Sequence, residues 1–195
     1  IRRELPTASA KWGPALSVLL GDSLFAYALE MATTFEDPAV ARRIARASRD
    51  VCCGEIIQTQ RRFDFNLQID EYFRVIEMKT AALFASATEL GALINKQPDS
   101  VVSAMREFGL KLGTAYQIYD DCLDLVGDEK IVGKTLRTDL AKGKLTLPVL
   151  YLLADATETQ RAKFHKMVLK GQPMDTTILA GIADYAGAIE RAVKA

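Results

Sequence analysis

The chain has 195 residues, 49% of them hydrophobic and 26% charged, a composition that excludes a disordered polymer and suits a globular fold. The 25 Lys and Arg balance 25 Asp and Glu beside a single His, so the formal net charge is zero. General nucleic-acid binding, which needs a surplus of cations to neutralise phosphates, is excluded, and any anion recognition must be local.

A chain of this length buries roughly 70% of the surface its unfolded form exposes, enough for a core without covalent staples. Its three cysteines, Cys52, Cys53 and Cys122, are too few and too oddly spaced for a disulfide framework. They read as thiols of a reducing compartment, since one His is too few to join them in a metal site. No apolar run is read as reaching the length of a membrane span, and Ile1-Arg2-Arg3-Glu4 does not read as a signal peptide. The expected location is cytoplasmic, without integral membrane contact.

Apolar residues recur at helical spacing nearly throughout, whereas period-two alternation and tight hairpin signals are missing. The predicted fold is all-α, a single domain over residues 1–195. From Pro14 to about Thr34, Leu16, Leu19, Leu20, Leu24, Ala28 and Met31 form one stripe, with Pro14 suited to a first helical turn. Asp37-Pro38 opens a second helix toward Phe63. After a polar interruption at Asn66 to Asp70, a third runs from Glu71 to about Asn95 on Tyr72, Val75, Ile76, Ala82, Leu83 and Leu90. Pro98-Asp99 opens a fourth that continues to Gly127, a fitting C-cap.

The stretch from Gly127 to Leu145 differs in kind. It holds three glycines, five basic and three acidic residues with little periodicity, and reads as a functional surface loop. Pro148 then opens a short helix, Thr157-Glu158-Thr159-Gln160 is a capping box, and Gly171-Gln172-Pro173 separates a last helix. Trp12, Phe63, Phe65, Met31, Met78, Met105 and Met167 are expected to pack in the core. His165 is expected on the surface, and Cys122 to fill apolar space.

The chemistry concentrates in Gln117-Ile118-Tyr119-Asp120-Asp121-Cys122-Leu123-Asp124, in the last turns of the fourth helix. Asp120 and Asp124 are i,i+4 neighbours of like charge, at the helix end where the dipole already disfavours anions. A conflict of this kind is expected at a functional site, and a hard divalent cation would resolve it. A solvated acidic face is the bland alternative. Lys130, Lys134, Arg137, Lys142 and Lys144 follow closely, Gly133 and Gly143 let backbone approach a ligand, and carboxylates with lysines suggest a metal-bridged diphosphate. Lys79-Thr80 and Arg2-Arg3 add further polar points, each weak alone.

In order along the chain, Arg2-Arg3, Pro6-Thr7, Trp12-Gly13, Leu19-Leu20-Gly21-Asp22, Gly54-Glu55 with Gln58, Lys79-Thr80-Ala81, Gly109, Gly113, Gln117, the aspartate cluster, Gly133-Lys134, Asp139 and Gly143 to Pro148 resemble the trans-isoprenyl diphosphate synthase (polyprenyl synthetase) family. The resemblance implies a helical bundle around a central cavity, usually a homodimer. It implies Mg²⁺-dependent condensation of an allylic diphosphate with isopentenyl diphosphate, giving a linear polyprenyl diphosphate. Carried over by position, Asp120, Asp121 and Asp124 look like metal ligands, and Lys79, Lys134 and Lys144 like the catalytic lysines that hold the allylic diphosphate. Thr80 and Gln117 look like residues lining that site. Arg2 resembles the arginine on the allylic diphosphate, and Arg3 the one on isopentenyl diphosphate.

The family also carries a first aspartate-rich motif shortly before the Arg-Arg pair, upstream of where this sequence begins. The expectation is therefore a longer enzyme of which these residues are a part. The alternatives are a non-catalytic helical subunit partnering an active synthase and a class I terpene cyclase, which explains the lysines less well. Ala26, Leu29 and Thr33 are candidates to line an elongation cavity.

Overall fold

The computed structural model describes residues 5–127, 136, 138–171 and 176–195. Arg2, Arg3, Lys130, Gly133, Lys134 and Arg137, together with Gln172 and Pro173, lie outside the described residues. The described residues form helices without strands: α1 (Ala8–Trp12), α2 (Pro14–Thr33), α3 (Pro38–Gln60), α4 (Ile69–Ile76), α5 (Ala82–Ile94), α6 (Asp99–Val126), α7 (Thr138–Ala141), α8 (Leu147–Asp155), α9 (Glu158–Leu169), α10 (Thr176–Ala180) and α11 (Tyr185–Lys194). A π-helical segment, Glu77–Ala81, joins α4 to α5.

Local chemistry sets the boundaries. The Asp37 carboxylate accepts the Ala39 N–H at 2.8 Å before Pro38 enters the first turn of α3. Gln68 and Glu71 form a capping box at the start of α4, so this helix begins inside the stretch expected to be polar linker. The capping box at Thr157 and Gln160 is present. The Gly127 N–H closes α6 on the Leu123 carbonyl at 2.8 Å. Two elements were not anticipated: α1, whose Thr7 hydroxyl accepts the Ala10 N–H, and α7 inside the basic loop. Both are under six residues, too short to show a period.

The core gathers at the C-terminal end of α6. Ile118, Cys122 and Leu125 pack with Tyr72 and Ile76 of α4, with Leu147, Val149, Leu152 and Leu153 of α8, and with Phe164, Val168, Leu179, Ile182, Ala188 and Ala192. Phe65 meets the buried Phe164 edge to face, and His165 stacks on Phe65 with ring centroids 4.0 Å apart. The expectation of a surface His165 is thus corrected: it is half-buried, and burial together with Arg161 lowers its pKa. Cys122 is buried as expected, its thiol pushed up to about 11 by burial and by Asp121.

The N-terminal helices are far less covered. Of α2 only Ala32 is buried, and Leu16, Leu19, Leu20, Leu24, Phe25 and Met31 are exposed. Trp12 is exposed too, with the Lys11 ammonium 5.0 Å from its ring centroid. These positions, with the exposed Phe63, correct the expectation that Trp12, Met31 and Phe63 lie in the core. A second correction concerns length: α2 spans 20 residues with a mean hydropathy of 1.4 over its apolar window, long and apolar enough by composition to cross a membrane. Asp22 and Glu30 interrupt its apolar run, which hid this property from a search for unbroken stretches.

The weight of the core around α9 gives a direct test. Phe164→Ala is expected to lower stability by about 3–5 kcal/mol, read as a fall in the urea midpoint, because its side chain is fully enclosed and its neighbours cannot close the cavity.

Candidate functional site

Asp121 organises the site. It sits in the C-terminal part of α6, its side chain is completely shielded from solvent, and both of its oxygens accept protein donors. Oδ2 accepts from the Tyr72 hydroxyl at 2.8 Å; Oδ1 accepts from Gln117 Nε2 at 2.9 Å and from Lys144 Nζ at 2.9 Å. A buried carboxylate is tolerable only when so saturated. Burial pushes the Asp121 pKa upward, opposed first by the charge of Lys144 and then by these donors. Burial alone would lower Lys144, yet Asp121 and Asp139 outweigh it and hold the ammonium protonated well above its usual range. The Tyr72 hydroxyl is raised by burial and then by the Asp121 charge, so it stays a donor.

Lys144 spans two carboxylates, reaching Asp139 Oδ2 at 2.8 Å as well. The Asp139 backbone N–H in turn meets Asp124 Oδ2 at 3.3 Å, tying α7 to the last turns of α6. Asp124 is buried, whereas Asp120 keeps partial exposure. Asp120, Asp121, Asp124 and Asp139 gather carboxylate oxygens at this end of α6, the donor type that suits a hard cation.

The second half of the site is built on the π-helical segment. An extra residue in one turn widens the helix, and such turns recur at functional sites. Here it turns two successive side chains toward different neighbours. Lys79 reaches α3, with Nζ 2.5 Å from Gln58 Oε1 and 2.6 Å from Glu55, while the Thr80 hydroxyl donates to Gln117 Oε1 of α6 at 2.7 Å. Gly54 makes the approach of α3 possible, because a Cβ there would lie 2.7 Å from the Lys79 backbone nitrogen.

The structure therefore brings Thr80, Gln117, Asp121 and Lys144 into one hydrogen-bonded chain, with Asp120 and Asp124 on the same helix and Lys79 at its flank. Lys134, Arg2 and Arg3 lie outside the described residues. Sequence reasoning missed Tyr72 and the partners of Lys79. Tyr72 counts as one more apolar residue in a helical stripe, although a buried tyrosine hydroxyl signals a partner. Asp139 carried no role beyond its place in the motif order. Three aspartates that look alike in sequence also differ in burial: Asp121 and Asp124 are buried, and Asp120 keeps partial exposure. Among the described residues, no three acidic, His or Cys side chains converge to hold a metal ion by themselves.

The family model for polyprenyl synthetases matches residues 1–184. The chain belongs to the polyprenyl synthetase family. Component 2 of the heptaprenyl diphosphate synthase of Geobacillus stearothermophilus is 39% identical over 155 residues, covering 80% of this chain and 48% of that protein. The geranylgeranyl diphosphate synthase of Saccharolobus solfataricus is 37% identical over 168 residues, covering 83% and 51%. The polyprenyl synthetase chain thus spans about half the length of these relatives. A decaprenyl diphosphate synthase from Rhodobacter capsulatus superposes with a TM-score of 0.82 at 36% identity over 100% of this chain and 57% of its own. The geranylgeranyl pyrophosphate synthase of Lactobacillus brevis gives 0.83 at 28% identity over 98% and 60%. The all-α isoprenoid synthase fold expected from the sequence is borne out.

Tyr72→Phe removes one of three donors from a fully buried carboxylate and keeps the ring. It is expected to lower stability by about 1–3 kcal/mol, seen in urea unfolding as a lower midpoint at unchanged slope.

Proposed function

We propose that this chain carries the allylic-diphosphate side of a prenyltransferase site, in an enzyme that condenses an allylic diphosphate with isopentenyl diphosphate to a linear polyprenyl diphosphate. The observation that carries the reading is the chain of bonds from Thr80 through Gln117 and Asp121 to Lys144, beside Asp120. It presents a protonated lysine and a carboxylate together, the pair of charges that a metal-bound diphosphate requires. The cofactor is Mg²⁺. The available donors fit it: they are all oxygen, the ligand type that Mg²⁺ takes beside waters and substrate phosphates.

Asp120, Asp121 and Asp124 would hold the cation, and Asp121 also holds Lys144 and Gln117 in place. Bound there, the cation supplies neutralisation of the diphosphate oxygens. Lys144 and Lys79 add fixed positive charge at the leaving group, so the C–O bond breaks with its electron pair on diphosphate. The isopentenyl double bond then attacks the allylic carbon, and a proton leaves the product cation. Lys134 on the same diphosphate, Arg2 on the allylic diphosphate and Arg3 on isopentenyl diphosphate complete the proposal by resemblance.

A protein partner is the proposed cover for α2, whose exposed Leu16, Leu19, Leu20 and Leu24 make an apolar surface that water does not favour. The proposed assembly is a homodimer in the cytoplasm, in keeping with unpaired Cys52, Cys53 and Cys122. One observation favours a second form: the relative named component 2 of a heptaprenyl diphosphate synthase belongs by its name to a multi-component enzyme. A non-catalytic subunit would show activity only when mixed with a partner.

In the full-length protein, Asp120→Ala and Lys144→Ala are each expected to cut the condensation rate by about 10²–10³-fold at saturating substrate, measured as incorporation of labelled isopentenyl diphosphate. Rates within a few-fold of wild type would sink the assigned roles.

A further inference from the structure

Gly143, one residue before Lys144, lies in the left-handed backbone region at φ 74°, and so does Phe63 at φ 59°. Few non-glycine residues adopt such an angle, and an aromatic one needs its surroundings to hold it there. The two residues face each other. The Phe63 N–H donates to the Gly143 carbonyl at 2.8 Å, and the Phe63 ring lies so close over Gly143 that a Cβ there would meet three ring atoms at 2.6 to 2.7 Å. The remaining bonds of this turn are internal: Gly143 N–H to Leu140 and Lys144 N–H to Asp139, both at 2.9 Å.

Phe63 is in turn held from behind. It follows the end of α3, where Arg61 pairs with Asp64 and Glu71 and so fixes the segment leading into α4. Gln58, five residues before Phe63 on α3, holds Lys79. A cavity of about 20 Å³ is lined by Gln58 and Arg61 of this end of α3 and by Tyr72, Val75, Lys144 and Leu145, so Lys144 and the Gln58 that holds Lys79 border one small space.

We propose that Phe63 is a positioning residue for Lys144: its ring and N–H clamp the Gly143 turn, and the end of α3 thereby sets the spacing between Lys144 and Lys79 for one diphosphate. This rests on the reading of the site as a diphosphate site. The ring is 41% exposed, so core packing does not account for its backbone angle. The same angle recurs at the exposed Lys96, but that residue's N–H bonds only to Leu93, three residues back, and touches no part of the site.

The test uses the full-length protein and inorganic diphosphate with Mg²⁺, titrated by calorimetry, beside KM for the allylic diphosphate and kcat. Phe63→Gly keeps the backbone angle and removes the ring; Phe63→Asn does the same with a residue that tolerates the angle, and serves should the glycine variant fail to fold. Both are expected to weaken diphosphate binding and raise KM by about tenfold, as loss of a group that orients a ligand-holding side chain typically does, with Phe63→Tyr restoring wild-type values. In a Lys144→Gln background Phe63→Gly is expected to add nothing. A wild-type protein that does not bind diphosphate overturns the site reading and the clamp with it. Wild-type binding matched by either ring-less variant overturns the clamp alone, as does a full further loss in the Lys144→Gln background.

Discussion

The arrangement depends on one buried charge. Asp121 has no contact with water, and an isolated carboxylate in that position would cost far more than a domain's margin of stability. Its neighbours are therefore constrained together: Tyr72 fixes the roll of α4, Gln117 fixes a side chain one turn below on α6, and Lys144 fixes the loop that returns after α7. Each donor belongs to a different part of the chain, 49, 4 and 23 residues away, so satisfying this one group brings three segments into register. Replacing the network with apolar residues of similar volume would be no great loss to stability, because buried ion pairs seldom stabilise beyond their desolvation cost. What such a replacement would lose is a lysine held charged and in one orientation.

That constraint also divides labour among residues of the same type. Asp120, Asp121 and Asp124 lie within one and a half turns of α6 and carry the same carboxylate. Burial, which the local sequence does not encode, separates them: Asp121 faces α4 and α8 through the core, while Asp120 retains solvent contact. Successive helix positions are about 100° apart, so adjacent carboxylates on one helix meet different surroundings.

This is why the sequence disclosed the site more readily than its supports. The aspartate cluster stood out by breaking local rules of charge and dipole on α6, and Lys144 stood out in a stretch without periodicity. Tyr72 broke no rule, since a tyrosine on a buried stripe reads as packing whether or not its hydroxyl is engaged. The π-helical turn left no mark either: one continuous apolar period runs from Tyr72 to Leu90, and the close approach of Gly54 on α3 to Lys79 is a contact between helices that the local pattern does not carry. Helix content and most boundaries were legible because Pro14, Asp37-Pro38, Pro98 and Thr157 act locally. The coverage of α2 was not, because an apolar stripe states that a face wants a partner without stating which one.

Two distributions of apolar surface follow from this. From α4 onward the chain encloses its own core, and Phe164, Leu147 and Leu152 are almost fully shielded. In α1 and α2 it does not: α1 buries nothing and α2 buries Ala32 alone. On α5 and α6, Leu83, Phe108, Leu112, Tyr116 and Tyr119 are exposed as well, on the helices that also carry Gln117 and Asp120. Hydrophobic area left in water on that scale opposes the fold at roughly 25 cal/mol per Å², so these faces favour any apolar surface offered to them. The superposed synthases are longer, with this chain covering 57% of one and 60% of another, and so contain further residues with which to meet such faces. The self-contained core thus supports the charged end of α6, while the apolar faces of α2, α5 and α6 are left for contacts beyond it.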